Sequence, residues 1–116
     1  MLDTNLTHIA SHEDFEKTIA EHENVMICCG RMGPMCIPVY DVMETLEAKY
    51  PHVTFRDMAF DSPVSDAVRR LPEVRSFRSL PFVLYYRDGK LVEAKSGLQT
   101  KQQVKEVLDG ALNPAA

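Results

Sequence analysis

Residues 25–29 read Val-Met-Ile-Cys-Cys, apolar at every position and without alternation. A strand with one wet face alternates apolar and polar side chains. A short run that is apolar throughout suits a central strand covered on both faces. Helices are therefore expected above and below the sheet that holds this strand.

The rest of the chain supplies the pieces. Leu6-Thr7-His8-Ile9 reads as a short first strand. Ser11 opens a helix, with Asp14 three residues on in the manner of a capping box, and Phe15 and Ile19 on its buried side. After the central strand, Met35, Val39, Val42, Met43, Leu46 and Tyr50 follow a helical stripe that Pro51 stops. Val53, Phe55 and Met58-Ala59-Phe60 suggest a third strand, Asp61-Ser62-Pro63 a turn, and Ser65 to Leu71 a short helix. Phe82-Val83-Leu84-Tyr85-Tyr86 is strongly β in composition, Asp88-Gly89 is a hairpin signal, and Leu91 to Lys95 returns. Thr100 with Gln103 caps a last helix striped by Val104, Val107, Leu108, Ala111 and Leu112. The order β-α-β-α-β-α-β-β-α predicts an α/β domain with a central mixed sheet flanked by helices, spanning residues 1–116 as one unit. Only the tail Asn-Pro-Ala-Ala reads as frayed.

Bulk properties narrow the function. With 116 residues and 45% hydrophobic side chains, a core forms without staples. A net charge of -4 argues against a nucleic-acid partner. No apolar run approaches the roughly 18 residues of a membrane span. The opening stretch lacks a basic region followed by an apolar core, and three cysteines are an odd count, so a cytoplasmic location is expected. The four histidines, His8, His12, His22 and His52, read as scattered surface residues.

The chemistry gathers around "CCGRMGPMC", residues 28–36. Together with Leu80-Pro81 before a hairpin, Asp61 after the third strand and Gly97 after the last strand, this segment resembles the thioredoxin family over nearly the whole chain. The resemblance implies a thioredoxin-like fold, cis geometry at Leu80-Pro81, and a groove that binds extended polypeptide through Arg31, Met32, Gly33, Pro34, Met35, Leu80, Pro81, Gly97 and Leu98. The departures are as specific as the matches. Met32 and Met35 stand where the family has its two cysteines. Arg31 replaces a tryptophan, Met26 a buried acid and Cys28 an aromatic residue. Pro38 comes two residues early, and the segment from Ser65 to Pro81 is about five residues longer than usual. A thioether has no proton to lose and cannot attack a disulfide, so the usual dithiol mechanism does not transfer to Met32 and Met35.

Three readings follow. In the first, thiol–disulfide exchange runs through displaced cysteines. Cys36 lies close to a helix N-terminus, which stabilises a thiolate, and its partner is Cys29 or Cys28, whose side chains leave the strand on opposite faces. In the second, the groove remains as a redox-inactive binding or chaperone-like module. In the third, Cys28, Cys29, Met32, Met35 and Cys36 form a soft site for Cu(I). The first reading leads: a monomer with no cofactor, a protein or peptide client, a reductase as second partner, and no membrane or nucleic-acid role. Arg69, Arg70, Arg75 and Arg78 read as a solvated face that an acidic partner also fits.

Overall fold

A computed structural model describes residues 2–112. Residues 113–116, the Asn-Pro-Ala-Ala tail, lie outside the described residues. Five strands form one sheet in the order β1-β3-β2-β4-β5. They are β1 (Thr7–Ile9), β2 (Asn24–Gly30), β3 (Thr54–Ala59), β4 (Phe82–Arg87) and β5 (Lys90–Ser96). The first three run parallel; β4 is antiparallel to β2, and β5 to β4. Strand β2 sits in the middle and is buried along its whole length, as its unbroken apolar run demands.

Alternation along β2 divides the core in two. Met26 and Cys28 face helix α2 (Ile37–Leu46) and helix α4 (Lys101–Gly110), packing with Tyr40, Met43, Val104 and Leu108. Val25, Ile27 and Cys29 face the other layer. There Phe15 of α1 (His12–Glu21) packs with Val64, Val68 and Val74. These last three residues belong to a compact stretch built from a 3₁₀ turn at Pro63–Ser65, the one-turn helix α3 (Asp66–Arg69) and a second 3₁₀ turn at Pro72–Val74. The second turn is absent from the sequence expectation.

The caps form with one variation. Thr100 and Gln103 make the full reciprocal box at the start of α4. Ser11 accepts the Asp14 N–H, but the Asp14 carboxylate reaches back to the N–H of Ala10 rather than to that of Ser11. The hairpin turns through Asp88 and Gly89, both at positive φ (53° and 80°).

Helix α2 differs from its sequence reading at both ends. Pro38 is its second residue, where a missing N–H costs nothing. The preceding turn closes on Gly33, whose carbonyl accepts the N–H groups of Cys36 and Ile37. Met35 therefore lies in this turn and does not head the buried stripe. At the other end, regular helix stops at Leu46, before Pro51 is reached.

Candidate functional site

Gly30 is where the site converges. A Cβ on this residue would lie 2.8 Å from Cys36 Sγ, 2.9 Å from the Tyr40 hydroxyl and 3.1 Å from Pro81 Cβ. Two elements thus meet the end of β2: α2, through its N-cap and first buried turn, and the loop entering β4. Only a residue without a side chain leaves room for both.

Cys36 points inward from the N-cap position of α2 and is 3% exposed. Its sulfur accepts the Arg31 N–H at 3.4 Å, and the Tyr40 hydroxyl donates to the Arg31 carbonyl at 3.1 Å. The turn Arg31–Cys36 is thereby tied to the helix through both groups of one peptide residue. Cys28 shares the core face of Cys36 and Tyr40, whereas Cys29 is on the opposite face of the sheet. Burial raises both strand thiols: Cys28 well above the usual thiol range, and Cys29 to about 12. All three cysteines are free.

Met32 and Met35 are each 41% exposed. The five sulfurs of residues 28–36 do not share a face, since two are at the surface and Cys29 lies beneath the other side of the sheet. Among the described residues no group of three or more His, Cys, Asp or Glu is placed to hold a metal ion.

The loop before β4 brings the remaining residues together. Leu80-Pro81 is a cis peptide. The Pro81 carbonyl accepts the Gly97 N–H at 2.9 Å. Gly97 has φ 80°, and a Cβ there would come within 3.3 Å of Met35 Cε and 3.7 Å of Ser79 Cβ. Met35 thus reaches across to the turn after β5, where Leu98 is also exposed. Met32, Met35 and Leu98 give this end of the sheet an apolar surface.

Arg31 stands beside it. Its Nε and Nη2 donate to the two carboxylate oxygens of Asp61, both at 2.9 Å. That hydrogen bonding holds the Asp61 carboxyl below its usual range and raises Arg31. Arg31 also lies over the Phe60 ring at 5.1 Å, and Arg69 over the same ring at 4.9 Å.

Sequence reasoning missed a buried carboxylate. Asp57 on β3 is fully buried. Its side chain accepts from Thr4 Oγ1 and pairs with His8 Nδ1 at 2.6 Å. It is the register partner of Cys28 on β2 and of His8 on β1. The signal was present: Asp57 follows Phe55 by two residues, so a strand that buries Phe55 buries Asp57 on the same face. Nor are the histidines all surface residues. His8 is a buried acid's partner, and His52 Nε2 is buried without a partner among the described residues.

An α/β domain with a central mixed sheet in the order β1-β3-β2-β4-β5, a helix starting at the end of its middle strand, and a cis-proline loop facing that helix defines the thioredoxin fold. Solved thioredoxins superpose accordingly. That of Plasmodium falciparum matches with a TM-score of 0.74 at 21% identity, covering 90% of this chain and 97% of its own. That of Fasciola hepatica gives 0.73 at 22%, covering 89% and 96%. In sequence, a thioredoxin of Chlamydia trachomatis is 28% identical over 103 residues, 89% of this chain and 96% of its own length. Glutaredoxin-3 of Mus musculus is 28% identical over 87 residues, 72% of this chain but 24% of that protein. No family model matches the chain. Its fold is that of the thioredoxins, and Met-Gly-Pro-Met stands at residues 32–35 in the loop between β2 and α2.

Proposed function

We propose that this protein performs thiol–disulfide exchange on polypeptide clients, with Cys36 as the reacting thiol and the Leu80-Pro81 edge as the client's seat. The observation that carries this reading is the placement of Cys36 Sγ against Gly30 and Pro81 at the start of α2. There the Arg31 N–H points at the sulfur from 3.4 Å, and the sulfur sits at the N-cap of the helix.

The Cys36 thiolate attacks a client disulfide. A Cys36–client bond forms, the client S–S bond breaks, and the leaving client sulfur takes a proton. Cys28, on the same core face, then attacks the Cys36 sulfur and releases the second client thiol. The protein is left as a Cys28–Cys36 disulfide, oxidised by two electrons, and an external protein reductase returns it. Cys29, on the other face, takes no part. Burial keeps Cys28 protonated, so the second step is the slow one.

Iodoacetamide labelling across pH, with mass mapping, tests this. Cys36 should label before Cys28 and Cys29. Mild oxidation should yield a Cys28–Cys36 disulfide that Cys36→Ser abolishes. Inert Cys36 with no such species ends the exchange reading.

A second reading has its own support. Cys36 is buried while Met32, Met35 and Leu98 are exposed beside the cis-proline. A module that binds polypeptide at this edge by strand addition needs that surface and no thiol. Binding that survives Cys36→Ser unchanged, in a protein inert to iodoacetamide, favours it.

A further inference from the structure

Between Asp61 and Leu80 the chain carries four arginines and three acids, in a protein whose net charge is -4. The acids do not neutralise the arginines evenly. Asp61 is held by Arg31, and Asp66 by Arg70 and His12. Glu73 lines a separate cleft with Phe77 and β5 residues Leu91 to Ala94. Among the described residues Arg69, Arg75 and Arg78 make no ion pair, and all three are exposed.

Arg69 stands on an aromatic base beside the loop that enters β4. Phe60 packs edge-on against Phe82, the residue after Pro81, and Phe77 packs on the same ring. Arg31 and Arg69 lie over Phe60. Arg78 immediately precedes Ser79, whose Cβ faces Gly97. Arg31 directly precedes the exposed Met32, and Arg75 and Arg78 precede Leu80 by five and two residues on the loop that enters β4. A chain laid along Leu80-Pro81 passes these arginines at one end.

We propose that Arg69, Arg75 and Arg78 recognise acidic residues flanking the apolar segment of client polypeptide that lies along Leu80-Pro81. The inference rests on the polypeptide-binding part of the reading above and adds the chemistry of the client. Rim charges of this kind select a partner and speed its encounter, and their effect falls with salt.

The probes are three fluorescent twelve-residue peptides with one apolar centre and flanks of Glu, Ser or Lys, titrated by anisotropy at low ionic strength. The Glu-flanked peptide should bind about tenfold tighter than the Ser-flanked one, three exposed charge pairs each adding a little. The Lys-flanked peptide should bind weakest. Arg69→Gln/Arg75→Gln/Arg78→Gln should erase the ranking without weakening the Ser-flanked peptide, as should about 0.5 M salt. Lys101→Gln/Lys105→Gln, which removes charge elsewhere, should leave it intact. Equal affinities, a ranking that survives the triple variant, or tighter binding of an oligonucleotide than of the Glu-flanked peptide overturns the proposal, as does the absence of any peptide binding. Failure of the exchange reading is seen separately, in the iodoacetamide map of Cys36.

Discussion

At the scale of single residues, Gly30 and the strand cysteines carry the sharpest consequences. Gly30→Ala places a methyl group within 3.1 Å of three side chains, two of them locked by hydrogen bonds to Arg31. Overpacking of this kind costs about 1–3 kcal/mol, so urea denaturation should show a lowered midpoint with an unchanged slope. Cys29 gives a pH dependence. Folding holds its thiol protonated, with its pKa at about 12. The unfolded chain ionises first, near the usual thiol value of about 8.5. The stabilisation is therefore complete below roughly pH 8.5 and is lost as pH rises towards 12. The loss reaches at most about 4–5 kcal/mol for a shift of this size. Chemical denaturation at pH 7, 9 and 10.5 should show stability falling, and Cys29→Ala should flatten that fall. A fall of equal steepness in Cys29→Ala would assign it to other groups, first Cys28, whose thiol burial also raises, and then Tyr86, raised to about 12.

At the scale of elements, α4 and β3 respond differently to one lost side chain. Thr100→Ala removes one half of a complete capping box on a helix whose Val104 and Leu108 are core residues. Thermal melts should show a cost of about 1 kcal/mol. Asp57→Ala leaves His8 and Thr4 without the acceptor they share at the buried centre of β3. Both partners are only partly buried, so the loss should be about 1 kcal/mol, and double variants with His8→Ala should be clearly non-additive. The elements also show where periodicity is a sound guide. Strand β2 was readable because every position is apolar, and α4 because its stripe and its cap agree. The start of α2 was not. Met35 fits the helical stripe as well as Cys36 does, and only the turn closed on Gly33 turns Met35 outward and Cys36 inward.

At the scale of the whole molecule, the fold keeps the cis-proline edge and sets thioethers beside it. With exposed thioethers at positions 32 and 35 and every thiol buried, reduction of insulin by dithiothreitol should be accelerated far less than by a thioredoxin with Cys-Gly-Pro-Cys. Turbidity onset measures this. Acceleration equal to that of such a thioredoxin would mean that a buried thiol is reached more easily than the packing around Gly30 allows.

The sequence by itself determined the order of the elements, the burial of β2 on both faces, the caps at Ser11 and Thr100 and the hairpin at Asp88-Gly89. Each is a local matter of side-chain period, hydrogen-bonding side chains or allowed φ. It also put Cys28 and Cys29 on opposite faces. Which of them shares a face with Cys36 was decided only in three dimensions. Neither the Arg31–Asp61 pair over Phe60 nor the Asp57–His8 pair could be read from spacing, since their partners lie 30 and 49 residues apart. A chain's local preferences fix how each segment faces its neighbours along the backbone. They do not fix which segments the parallel crossovers bring side by side, and it is there that Gly30, Cys36, Tyr40 and Pro81 meet.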